Sequence, residues 1–374
     1  MFKHLKKIFI AFLLLYYKLT LFSQNQFNNN YYVSFTTRYG FIFPHRPSIA
    51  YLVKKHIPAF DLCISKQMNY KSWHSLYKYP YAGIGFYHSD LGNPLYTGKS
   101  FAFYGFLDFP LLQSQVYSFN FSVALGLAYL TNYYDENHNY YNLVISTPIN
   151  AYVDFGLIHC FYFKHLRINA GIAYTHYSNG AISKPNLGFN IPSAKISIGY
   201  FNQRQVFKKE NKEIPTHIAF YEIHFLLAGG IRQNSTSDPY NYFANTFAIN
   251  IEKHISAKRS IGIGLDFFYD PSIPQRNNFS YEKPYTPYLR AGIHLSHDWI
   301  LNRLNITFQT GRYFFDKLNL DGKIYSRVGL KYKINSHLQA NMLLKSHFAK
   351  ADIIEFGASY YITKHQIFKI KSNN

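Results

Sequence analysis

Tyr117-Ser118-Phe119-Asn120-Phe121-Ser122-Val123-Ala124-Leu125-Gly126-Leu127-Ala128-Tyr129-Leu130 alternates from Tyr117 through Tyr129. The odd positions from Tyr117 to Tyr129 are large and apolar, whereas the even positions from Ser118 to Ala128 are small or polar. Successive side chains of a strand point to opposite faces, so this stretch is a strand with one apolar face. Its aromatic residues stand toward the ends of the apolar row with aliphatic residues between them. That is the order a strand needs to cross a bilayer.

The same two-face pattern recurs. In 143–156, Ile145, Ile149, Ala151, Val153 and Phe155 oppose Ser146, Asn150 and Asp154; near the C-terminus, Ile354, Phe356, Ala358, Tyr360 and Ile362 oppose Glu355, Gly357 and Ser359. Candidate strands begin near 31, 57, 79, 100, 117, 143, 164, 193, 216, 241, 258, 286, 303, 323, 337 and 352, which predicts an all-β fold of 12 to 16 antiparallel strands. A soluble sandwich also alternates, so composition has to choose. Aromatic residues make up 20% of the chain and charged residues only 16%. Few of 36 Tyr and 35 Phe could be buried together in one soluble core, but such residues form the interfacial girdles of a membrane barrel.

The N-terminus points the same way. Lys3, His4, Lys6 and Lys7 precede an apolar run from Ile8 to Tyr16 that continues to Leu21 and Phe22. This reads as a secretory signal, residues 1–24, cut near Ser23 or Gln24; Lys18 interrupts the run, which is short for a membrane span. No later run is long enough for a transmembrane helix, so a membrane location requires a closed barrel. The expectation is one transmembrane β-barrel over 25–374, with periplasmic termini, in the outer membrane of a Gram-negative bacterium.

Loop lengths give the orientation. Segments 117–130, 164–178, 258–269 and 303–314 rise outward if the segment at 31 does. The loops after them, 131–142, 179–192, 270–285 and 315–322, are long and polar, while the turns at 157–163, 254–257, 299–302 and 334–336 are short. The charged connection 205–214 falls on the periplasmic side. The net charge of +20 favours anionic partners such as a phosphate-bearing lipid surface. Nucleic acid is the weaker choice of partner, because the basic residues are dispersed and no reading motif is present, and none is expected. Cys63 and Cys160 could pair in an oxidising compartment, but without metal-ligand neighbours they read as small packing residues.

The chemistry is concentrated after strand 164–178. Leu166, Ile168, Ala170, Ile172, Tyr174, His176 and Ser178 share one face; His165, Arg167, Asn169, Gly171, Ala173, Thr175 and Tyr177 share the other. Arg167 and Asn169 belong in a polar lumen, which turns the first row toward lipid and leaves His176 and Ser178 at its extracellular end. A serine hydroxyl needs a base, and imidazole suits that task near neutrality. Asn179, Asn186 or a backbone N–H near Gly180 or Gly188 could hold a developing oxyanion.

His176-Tyr177-Ser178-Asn179-Gly180 followed by Pro185-Asn186-Leu187-Gly188 resembles the signature of the outer-membrane lipid A 3-O-deacylases, the PagL-type or acyloxyacyl hydrolase family, in an enlarged Bacteroidota-type version. The resemblance implies His176 as general base, Ser178 as nucleophile and Asn186 as an oxyanion donor, with no metal or cofactor and with lipid A of the outer leaflet as substrate. Where small family members carry the glutamate of the triad, this chain has Asn190. Asparagine can orient a histidine but cannot stabilise an imidazolium by charge; Asp135 and Glu136 are alternative acids. Lys184 is a candidate contact for lipid phosphates. The competing expectations are a non-catalytic barrel, either a porin-like channel governed by Arg167, Asp154 and Asn169 or a surface-binding protein, and acyl transfer in place of hydrolysis.

Overall fold

The computed structural model describes residues 31–201, 219–276, 288–348 and 350–365. The expected signal segment and the connection 205–214 lie outside the described residues. Among the described residues there are sixteen strands: β1 (Tyr31–Gly40), β2 (Ile57–Gln67), β3 (Tyr81–Asp90), β4 (Lys99–Gln113), β5 (Tyr117–Leu130), β6 (Ile149–Phe163), β7 (Leu166–Ser178), β8 (Phe189–Phe201), β9 (Phe220–Gln233), β10 (Asn241–Ser256), β11 (Arg259–Tyr269), β12 (Leu289–Leu301), β13 (Leu304–Asp316), β14 (Ile324–Lys333), β15 (Leu338–His347) and β16 (Lys350–His365). The expected turn at 157–163 is the end of β6, and 143–148, expected to open that strand, belongs to the preceding loop.

The strands close as two rings of eight, not as one barrel. β1 pairs back onto β8, with Tyr32 opposite Phe201 and Gly40 opposite Ser193. β9 to β16 form a second closed ring through β9–β16 pairing. Alternation cannot distinguish these outcomes, because each strand has the same two faces whichever neighbour completes its ring. Lumen size differs greatly: eight strands enclose a space that side chains can fill.

Both interiors are filled. In the first barrel Arg38 donates to Asp61 and to Asp154, each at 2.6 Å, and Arg167 donates to Asp108 at 2.8 Å and to Asn169 at 2.7 Å. In the second, Arg327 meets Asp266 at 2.8 Å and Glu355 at 3.0 Å, and Lys331 meets Glu252 at 2.6 Å and Asp298 at 3.0 Å. Buried charges persist only when paired. Arg167, Asp154 and Asn169, the residues on which a channel was expected to depend, are thus interior packing. The two cysteines are free. Cys160 lies 2.7 Å from an Arg167 nitrogen and Cys63 lies 3.2 Å from the Tyr104 hydroxyl, so each makes a polar contact within the barrel rather than apolar packing alone.

The outside is the inverse. Val33, Leu62, Ile64, Leu127, Ile172, Ile196, Leu227, Ile263 and Leu295 are exposed on the barrel walls, with Tyr39, Tyr129, Phe163, Tyr200, Phe243 and Tyr332 toward strand ends. An apolar exterior around a polar core is stable only with lipid as the solvent. The turns at 114–116, 164–165, 257–258, 302–303 and 334–337 all lie on one side, and the loops 131–148 and 179–188, with the described segment 270–276, on the other. On the short-turn side the barrels meet where Tyr77 and Phe109 pack around Trp299, with ring centroids 6.0 and 5.0 Å away.

Candidate active site

β7 carries the candidate pair outward, at the long-loop end of the first barrel. Its burial alternates as the sequence predicts: Arg167, Asn169, Thr175 and Tyr177 are buried inside, and Leu166, Ile168 and Ile172 are exposed outside. His176 and Ser178 end that outer row, both half-buried. Pairing with β8 sets Asn190 directly opposite His176, which explains how a residue fourteen positions later reaches the imidazole.

His176 Nδ1 lies 2.7 Å from Asn190 Oδ1. An amide oxygen only accepts, so Nδ1 carries the proton and Nε2 keeps its lone pair. The amide is itself oriented: Asn190 Nδ2 donates to His45 Nδ1 at 2.9 Å. His45 stands in the loop after β1 and belongs to no motif of the sequence. Nothing local marks it, because its relation to Asn190 depends on β1 pairing with β8.

Ser178 is held from the loop that follows. Asn186 Nδ2 donates to Ser178 Oγ at 3.0 Å, and the Gly180 N–H donates to the same oxygen at 3.1 Å. Asn186 Oδ1 accepts from the Asn179 N–H at 3.2 Å and lies 3.4 Å from Ser178 Oγ. The hydrogen bonds of Ser178 Oγ among the described residues go to Asn186 and Gly180, not to the imidazole. Such sites are often loose without substrate and tighten around it.

The other expected residues take different places. The side-chain amide of Asn179 is engaged in holding the loop, donating to Ser183 O at 3.0 Å and Ser146 Oγ at 3.1 Å and accepting from the Ala181 N–H at 3.0 Å. Its geometry is that of a loop anchor. The Gly188 N–H donates to Val144 O at 3.0 Å. Gly188 has φ +78°, and a Cβ there would come within 2.8 Å of His176 Cε1, so the imidazole lies where a side chain would otherwise be.

Asp135 is turned to its own loop, accepting from the N–H groups of His138 at 2.8 Å and Asn137 at 2.9 Å. Those bonds, His138 first, hold its carboxyl below the usual range, and Glu136 is exposed. Neither is brought to the histidine. Burial, then the charge of Arg232, pushes the Lys184 ammonium down to about 8.

Two protein-family models match the chain, and their limits follow the two rings. The model described as lipid A 3-O-deacylase (PagL) matches residues 59–201, from β2 to the end of β8. The model described as the acyloxyacyl hydrolase C-terminal domain matches residues 221–365, the whole second barrel bar one residue. A comparison with curated proteins finds no match. Solved structures similar to this chain include two mutants of the porin of Rh. blastica. They share 8% and 7% identity, cover 89% of this chain and 100% and 99% of their own, and give TM-scores of 0.18. Likeness at that level carries no argument.

Proposed function

Because this chain belongs to the PagL-type lipid A 3-O-deacylase family, we propose that it is an outer-membrane serine esterase. It removes an ester-linked acyl chain from lipid A in the outer leaflet and reaches the membrane through the signal at 1–24. The observation that carries this reading is the outward row of β7, where His176 is oriented by Asn190 and Ser178 Oγ is held by Asn186 and Gly180.

The chemistry is acyl transfer to serine. Nε2 of His176 takes the Ser178 proton as Oγ attacks the ester carbonyl, and the carbonyl electrons move onto oxygen. Asn186 Nδ2 and the Gly180 N–H, already directed at the nucleophile, stand next to the forming oxyanion. Collapse of the tetrahedral intermediate breaks the bond to the sugar oxygen, which leaves with the proton from the imidazolium. Water, deprotonated by the same imidazole, then releases the fatty acid and restores Ser178. A site on the outer wall meets such an ester without lifting the lipid out of its leaflet. The filled lumens argue against the channel reading.

Lipid A from cells with the intact protein should be lighter by one hydroxyacyl chain than lipid A from cells without it, as read by mass spectrometry. Identical spectra would sink the proposal.

Asn190 sets a further expectation. It holds the tautomer that the base needs, yet offers no charge to the imidazolium. Asn190→Asp keeps the oxygen and adds that charge, so turnover should rise about tenfold, much less than the ~10⁴-fold gap seen where an amide imposes the wrong tautomer. Steady-state hydrolysis of purified lipid A checks it; a fall in kcat would mean that the His45–Asn190 bond matters more than charge.

A further inference from the structure

The loop that holds Ser178 is gripped from the second barrel. The Gln233 N–H, at the end of β9, donates to Ala181 O at 3.0 Å. Its side-chain Oε1 accepts from the Lys184 N–H at 2.7 Å, and its Nε2 donates to Asp238 O at 2.7 Å within the second barrel. One residue therefore fixes two backbone points of the 179–188 loop and ties them to its own barrel. Ile354 of β16 closes the space beside Gly180, where a Cβ would fall within 2.2 Å of the isoleucine side chain. Gly180 has φ +66°, and its N–H is one of the two donors to Ser178 Oγ. The first barrel holds the same loop at a different point, through the bonds of Asn179 to Ser146 and Thr147. The loop is thus suspended between two rings, each rigid through its closed ladder.

We propose that the second barrel is a positioning element for the hydrolytic centre of the first, and that Gln233 is the residue through which it acts. The inference rests on the reading of Ser178 as nucleophile. Gln233 touches neither Ser178 nor His176; it sets where Gly180 and Asn186 stand, and with them the donors that meet the oxyanion. Positioning of this kind acts on the transition state, because displacement of about an ångström costs up to ~10²-fold in rate. It also gives the second ring, whose lumen is filled, a part in the reaction.

The test uses the full chain in outer-membrane vesicles with Gln233→Ala and Gln233→Glu. Glutamate keeps the acceptor for the Lys184 N–H; alanine does not. Gln233→Ala should lower kcat on lipid A by about ten- to a hundredfold with KM within about twofold, and Gln233→Glu should recover most of the loss. Amide exchange at Lys184 should speed up in the alanine variant and return toward normal in the glutamate variant, while the heat-dependent gel mobility of the folded barrels stays unchanged in both. Faster Lys184 exchange with unaltered kcat would overturn the inference and leave the esterase reading standing. Equal loss of kcat in both variants would overturn the role assigned to the acceptor. Undiminished hydrolysis in Ser178→Ala would instead remove the reading on which the inference rests, whatever Gln233 does.

Discussion

Ser178→Ala should reduce lipid A deacylation by at least about a thousandfold while leaving both barrels folded. The size of the loss follows from the chemistry. Without Oγ no acyl-enzyme can form, and what remains is whatever Asn186 and Gly180 achieve by polarising the ester toward water, which in serine hydrolases is a small remnant of the full rate. The fold should be indifferent because the hydroxyl is half-buried at a strand end on the outer face, and its partners are one side chain and one N–H of an adjacent loop. Deacylation is read by mass spectrometry of lipid A incubated with purified protein, and folding by heat-dependent gel mobility. His176→Ala should lose a similar factor, and the double variant little more, since the two act as one unit. Additive losses would mean that the residues do not share a step.

Arg38→Ala should be the most damaging change to stability, costing about 3–5 kcal/mol. The guanidinium is buried and bridges Asp61 and Asp154 from two other strands of the first barrel, with Thr175 Oγ1 also accepting from it at 3.4 Å. Removing it leaves two uncompensated carboxylates in a closed lumen. Urea unfolding in lipid bilayers measures the loss, and Asp61→Asn with Asp154→Asn in the Arg38→Ala background should restore part of it by removing the unpaired charge. An Arg38→Ala protein as stable as wild type would mean that water reaches this part of the lumen.

The strands were legible because a bilayer imposes a simple rule on each of them. Alternation in 117–130 and 166–178 reports which side chain meets lipid, and the exposed Leu127 and Ile172 against the buried Asn120 and Asn169 obey it. The shared outward face of His176 and Ser178 was legible for the same reason. What alternation does not encode is which strand completes a ring. The return of β1 to β8 rests on pairing across well over a hundred residues, and the two-ring architecture follows from it. Neither His45 nor Gln233 is marked in the sequence: His45 reaches Asn190 only because β1 closes onto β8, and Gln233 reaches the loop only because the second ring stands beside the first. The loop contacts of Asn179 were not legible, because the motif gives its neighbours in sequence but not the carbonyls and hydroxyls that engage its amide.

The two self-contained ladders also bear on how the protein is made. All eight strands of the first ring lie before residue 202, and all eight of the second after residue 219, so neither ring needs a strand from the other to seal its edges. Biogenesis can therefore proceed as two insertion events, with the ring that carries Ser178 free to seal first. Its loop gains the Gln233 tether only when the second ring arrives beside it. Under the positioning proposed above, the chain acquires full hydrolytic power at the last step of its assembly, once both halves stand in the lipid they are to act upon.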